Sequence, residues 1–115
     1  METYKSLIRG VLDVLSGHYI ELSKQKYSSN VVEKSIVNSA QLGDQAIYKE
    51  LLDIQAIMQL LENHFGIYVL QKTLQSLSMD ELKEVDAAFR GSRLVNTNHG
   101  MTLLNKWRSI VNKVA

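Results

Sequence analysis

Two short strings in this sequence carry side chains suited to reading a nucleobase. Ser29, Asn30 and Glu33 lie within five residues of one another. On a helix turning about 100° per residue, Asn30 stands about 100° and Glu33 about 40° from Ser29. All three are therefore expected on one face. Val31 and Val32 fall at about 200° and 300° and are expected in the core. Ile67, Tyr68 and Gln71 repeat the same spacing further on. A flat or polar group between two edge-facing groups suits an unstacked base: one slots against its face, two reach its hydrogen-bonding edge.

Other chemistries find little to work with. His18, His64 and His99 are scattered, and there is no Cys. No His-x₃-His pair or thiolate exists to build a zinc site. Glu62 and His64 are too close in sequence to make an obvious dyad on one helix face. No serine sits in a nucleophile-elbow pattern. Neither an enzyme, nor a metal, nor a cofactor is expected.

The elements that must carry the two strings are helices. The chain has no Pro and only 6 Gly, which act as punctuation. Leu7, Val11, Val14 and Leu15 follow helical spacing. Ile47, Leu51 and Ile54 do so in the middle, and Leu82, Val85 and Phe89 later. Ser78-x-x-Glu81 reads as a capping box, where each side chain answers the other's backbone N–H. No stretch reads as a strand pair, so the fold class is all-α.

The chain also resembles itself. Tyr27-Ser28-Ser29-Asn30-Val31-Val32-Glu33-Lys34 is echoed 38 residues on by Phe65-Gly66-Ile67-Tyr68-Val69-Leu70-Gln71-Lys72. A weaker copy, His99-Gly100-Met101-Thr102-Leu103-Leu104-Asn105-Lys106, follows after 34 more. Such periods mark a helical solenoid, each unit burying its apolar face against the next. The expected units are 15–52, 53–89 and a degenerate cap at 90–115. Residues 1–14 read as the last helix of a preceding repeat, so the chain is expected to be the C-terminal piece of a longer array. Leu7, Val11 and Leu15 would then be poorly covered at the broken end. Such a patch favours a partner, and a homodimer is the expected one.

Composition suits a soluble globular chain of 115 residues with net charge +1. No apolar run approaches a membrane span, and no targeting signal is visible, so cytoplasm is the default expectation. The charge is uneven. Residues 41–88 are acidic, whereas Arg90, Arg93, Lys106, Arg108 and Lys113 make a basic end without an acidic group. A basic end suits phosphates. Arg93 and Lys106 are candidates for such contacts, as are Lys34 and Lys72, which follow each reader string.

The strings KYSSNVVEKSI and HFGIYVLQKTL resemble two consecutive repeats of the Pumilio-homology (PUF) RNA-binding family. LSGHYIELSKQ resembles the run leading into the penultimate repeat, and HGMTLLNKW the degenerate C-terminal cap. The resemblance implies a right-handed, armadillo-like solenoid of three-helix repeats. About two full repeats would be present here, with partial repeats flanking them. It implies one RNA base per repeat, read by the second helix on a concave face. Ser29 and Glu33 would meet a base edge and Asn30 its face, a set that favours guanine. The chemistry agrees, because guanine offers two N–H donors to the two carboxylate oxygens. In the next repeat Tyr68 would stack and Gln71 would meet the edge. Ile67 stands where the family commonly has Asn and cannot hydrogen-bond. Specificity there is expected to relax, with uracil first and adenine next.

The family also implies binding to a UGU-like element in an mRNA 3′ untranslated region. Translation repression or mRNA decay would follow through repressor or decay-factor proteins on the convex face. The rival expectation is a protein-interaction or dimerisation module with little RNA binding of its own. Asp80, Glu84 and their acidic neighbours favour that rival if they line the concave face.

Overall fold

The computed structural model describes residues 2–43 and 45–114. Met1 and Ala115, the outer bounds of the expected first and last units, lie outside the described residues. Eight α-helices follow one another: α1 (Glu2–Leu15), α2 (Tyr19–Ser23), α3 (Ser28–Leu42), α4 (Ala46–Leu51), α5 (Ile54–Glu62), α6 (Gly66–Gln75), α7 (Met79–Arg90) and α8 (Asn98–Val114). A short 3₁₀ turn, Arg93–Val95, precedes α8. No strand occurs among the described residues. The fold is all-α and built of repeated helix triplets.

The triplets α2–α3–α4 and α5–α6–α7 stack side by side. Helix α3 packs on α6, and α6 packs on α8. The body is elongated, 49 × 29 × 22 Å. One apolar cluster runs through it from Tyr19 through Val32, Ile36, Ile57, Leu60, Val69 and Leu70 to Trp107 and Ile110. Burial of this continuous cluster is the main stabilising force, at roughly 25 cal/mol per Å² of apolar surface. Ser35 donates to the Val31 carbonyl and Thr73 to the Val69 carbonyl, 2.9 and 2.8 Å. These buried hydroxyls thus bond within their own helices and need no water.

Equivalent joints hold the two triplets. In α6, a Cβ at Gly66 would lie 3.0 Å from both the Cα and the carbonyl oxygen of Leu60. The absence of a side chain lets α6 press onto α5. At the matching place in the first triplet, Ser28 donates instead to the Leu22 carbonyl, 2.8 Å. The start of α2 is held by Glu50 of α4. Its carboxylate accepts from the Gly17 and Tyr19 N–H groups, each at 2.7 Å. Gly17 can present its N–H there because it adopts φ +85°.

The capping box is present. Glu81 N–H donates to Ser78 Oγ and Ser78 N–H donates to Glu81 Oε1. Other sequence expectations shift. Ile47, Leu51 and Ile54 do not share a helix, because Asp53 is extended and separates α4 from α5. On α1, Leu7 (66% exposed) and Val11 are uncovered as expected, and Val14 (76%) with them, but Leu15 packs against the core and Leu12 is buried. Val31 is 47% exposed rather than in the core. Val69, its counterpart, is fully buried. The reason is neighbours: α6 lies between α3 and α8, whereas α3 has α6 on one side and only a slight contact with α1 on the other.

Two outcomes follow. Gly66→Ala should cost about 1–3 kcal/mol, since the methyl must displace backbone. Gly10→Ala, where a Cβ meets nothing within 4 Å, should instead add about 0.5–1 kcal/mol. Paired urea denaturation curves measure both. The Ser78 N–H, and then its side chain, hold the Glu81 carboxyl below the usual glutamate range. Its contribution is complete above that usual range and is lost as pH falls through the lowered folded value. Amide signals of the first turn of α7 should therefore broaden or shift in acid. In Glu81→Gln that acid-dependent step should vanish.

Candidate nucleic-acid interface

The buried side of α3 carries Ser29, Val32, Ser35, Ile36 and Ser39. That of α6 carries Gly66, Val69, Leu70, Thr73 and Leu74. These apolar and small residues fix the roll of each helix. The outer side carries Asn30, Glu33 and Lys34 on α3, beside the exposed Val31 and Val37, and Tyr68, Gln71, Lys72 and Gln75 on α6.

Glu33, Tyr68, Gln71, Lys72 and Gln75 line one open groove of about 260 Å³. It lies between two triplets, with Glu33 from α3 and the rest from α6. Tyr68 is 56% exposed, leaving much of its ring for a stacked partner. Glu33 and Gln71 are half-buried. Among the described residues neither the Glu33 carboxylate nor the Gln71 amide has a hydrogen-bond or ion-pair partner. Two partly desolvated polar groups therefore face one groove beside an aromatic face. That arrangement can grip a planar, hydrogen-bonding ligand.

The other expected site residues lie outside this lining. Asn30 is exposed. Ser29 is buried, and its hydroxyl donates to the Lys26 carbonyl at 3.1 Å. It does not share the outward face of Asn30 and Glu33, as the helical wheel had suggested. The buried arc of α3 is centred near Val32 and reaches round to Ser29. Ile67 is partly buried against the core. Lys34, Arg93 and Lys106 are exposed, the last two on the 3₁₀ turn and α8.

Two residues of this region escaped the sequence reading. Gln75 lines the groove, and its i+4 spacing from Gln71 was the available signal. His64 stands perpendicular to the Tyr68 ring, 6.1 Å between centroids and 86° between planes. No spacing rule marked it, because it precedes α6 in a turn.

Part of the acidic middle is engaged by the fold. Asp86 Oδ1 accepts from Trp107 Nε1 and from Arg90 Nε, each at 2.7 Å. Glu62 meets His99 Nε2 rather than its sequence neighbour His64. Glu81 caps α7. Among the described residues no three His, Asp or Glu side chains gather in a way that could hold a metal ion. No helix among them is long and apolar enough to cross a membrane.

Comparison with known proteins decides the family. No protein-family model matches the chain, and no solved structure matches it. Pumilio homolog 12 of Arabidopsis thaliana is 38% identical over 65 residues, 56% of this chain and 11% of that protein. Putative pumilio homolog 7, chloroplastic, of the same plant is 35% identical over 69 residues, 60% of this chain and 10% of that protein. A Pumilio domain-containing protein of Schizosaccharomyces pombe is 32% identical over 87 residues, 74% of this chain and 13% of that protein. The chain belongs to the Pumilio-repeat family. It spans about a tenth of the length of the curated relatives it matches.

Within this Pumilio-repeat chain, Asp86 is the clasp between α7 and the last helix. Asp86→Ala would leave the buried Trp107 N–H without its acceptor. The cost should be about 1–3 kcal/mol in urea denaturation. Trp107 emission should shift to the red as α8 loosens. Asp86→Asn, which keeps an acceptor oxygen, should recover most of the loss.

Proposed function

We propose that this chain binds single-stranded RNA in a base-specific way and performs no catalysis. Residues 15–52 and 53–89 act as two Pumilio repeats. Residues 1–14 belong to a preceding repeat, and 90–115 form the cap. Glu33 reads guanine, with Asn30 against the base, while Ser29, turned into the helix, supports α3 from below. Tyr68 stacks on the neighbouring base and Gln71 reads its edge. The observation that carries the reading is the shared groove, where Glu33 and Gln71, without a partner among the described residues, stand beside the exposed Tyr68 ring.

The chemistry follows from that pairing. Guanine's N1–H and N2–H match the two oxygens of Glu33. Adenine brings an acceptor at N1, so a half-desolvated carboxylate would lose water without gaining a donor. The second base is held more by stacking than by its edge, since Ile67 packs inward. Uracil or adenine then fits. Each stacked base contributes about 1–3 kcal/mol, so two readers give weak binding. Lys34, Lys72, Arg93 and Lys106 are the proposed phosphate contacts. In the cell the target is a UGU-like element of an mRNA 3′ untranslated region, met in the cytoplasm. Post-transcriptional repression or decay follows through proteins on the convex face.

A second reading has its own support. Ser6, Leu7, Gly10, Val11, Val14 and Leu15 line an apolar groove of about 380 Å³ on α1. That face suits a protein partner or a second copy of the chain. Light scattering distinguishes these: a mass that rises with concentration indicates self-association, a constant monomer mass argues against it.

The test of RNA reading is an NMR titration of the labelled chain with two short RNAs, one carrying UGU and one UAU. Signals of Asn30, Glu33, Tyr68 and Gln71 should move with UGU and less with UAU. No movement with either would leave the protein-interaction reading. In Glu33→Gln the preference for UGU should fall by about ten-fold, with a smaller drop in UAU affinity. Equal losses for both RNAs would contradict edge reading.

A further inference from the structure

We propose that His64 is a positioning residue for the Tyr68 ring, and through it for the base stacked there. The inference rests on the RNA reading above.

A tyrosine with more than half its surface in solvent can swing between rotamers unless something holds it. His64 supplies the hold. Its imidazole stands at 86° to the Tyr68 ring with centroids 6.1 Å apart, the favoured edge-to-face arrangement. The same imidazole meets Phe65 at 5.2 Å and 71°. It is therefore braced between two aromatic rings. Its backbone is braced too. Asn63 Oδ1 accepts from the N–H groups of Phe65 and Gly66, each at 2.9 Å, closing a turn around His64. The line of support runs from Asn63 through His64 to Tyr68. A perpendicular neighbour steadies the tyrosine without lying flat on it. A base can therefore still stack parallel to the ring.

The first triplet is an internal comparison. Lys26 holds the place of His64, and Asn30 the place of Tyr68. Lys26 Nζ lies over the Tyr27 ring, 5.4 Å from its centroid. Both residues sit against the aromatic that follows them. Only His64 also contacts the reader four positions on, and only there is the reader aromatic. His64 need not touch RNA to act. It lowers the ordering cost of binding by presenting Tyr68 already in place.

The experiment compares wild type with His64→Ala, His64→Phe, Tyr68→Ala and the double variant His64→Ala/Tyr68→Ala. The probe is the UGU-containing RNA. His64 is exposed, so its truncation opens no core cavity. In the free protein, Tyr68 ring proton shifts should move in His64→Ala and stay close to wild type in His64→Phe. RNA affinity should fall about three- to ten-fold in His64→Ala. His64→Phe should restore it to within about two-fold. In the Tyr68→Ala background, removing His64 should cost nothing more. If Tyr68→Ala weakens binding and His64→Ala does not, the positioning role is overturned and RNA reading stands. An equal His64 effect with and without Tyr68 overturns it as well. If Tyr68→Ala binds as tightly as wild type, base stacking at Tyr68 is lost, and this proposal with it.

Discussion

Helix α6 is held on three sides, by α3, α5 and α8. Its inner side carries Val69, Leu70, Thr73 and Leu74, none of which reaches solvent. Gly66 brings its first turn within reach of the Leu60 backbone. These contacts fix both the depth and the roll of the helix. A roll of one residue would carry Tyr68 or Gln71 towards the core. Burying an unpaired amide there would cost several kcal/mol, of the order of 1–3 by protein measurements. The outward direction of Tyr68, Gln71 and Gln75 is thus a consequence of core packing. The two helices that line the groove are held by the same cluster that stabilises the fold.

The groove belongs to neither triplet alone. Glu33 comes from α3, and Tyr68, Gln71 and Lys72 come from α6. Their spacing depends on how α3 packs on α6 through the cluster that Val32, Ile36, Val69 and Leu70 share. Neighbour packing also sets how deep each reader helix sits. Helix α6, covered on both flanks, buries Val69 completely. Helix α3, covered well on one flank, leaves Val31 open. Equal sequence positions thus become unequal surfaces. Helical-repeat folds work this way, since each unit contacts only its neighbours and takes its environment from them.

What was legible in the sequence was local. The helical period, the capping box at Ser78 and Glu81, and the 38-residue echo all depend on residues close in the chain. They led to the helix class and to Glu33, Tyr68 and Gln71, which the fold brings to one groove. Where the reading strayed, distant partners decided. The wheel of α3 could not say whether its buried arc stopped before Ser29 or included it. The stripe of Ile47, Leu51 and Ile54 looked continuous until Asp53 turned the chain. Nothing close in the chain marks Glu50 or Asp86 as structural. One bonds N–H groups 31 and 33 residues away, and the other a Trp 21 residues on.

Those long-range bonds change the electrostatic argument as well. A run rich in Asp and Glu seemed poorly suited to an RNA-binding surface. Four of those carboxylates are tied to donors of the protein itself. Glu50 holds α2, Asp86 clasps α8, Glu62 meets His99, and Glu81 closes the start of α7. Each carboxylate already faces donors, so its field is partly offset where it stands. Glu33 is different. It is half-buried, sits in the groove, and has no partner among the described residues. A carboxylate in that state keeps its acceptor oxygens open to incoming N–H donors. Its repulsion of phosphate and its attraction for a base edge act on different parts of a nucleotide. On the proposed RNA reading, selectivity would come from orientation: a nucleotide would turn its base inward and keep its phosphates towards the lysines and the solvent.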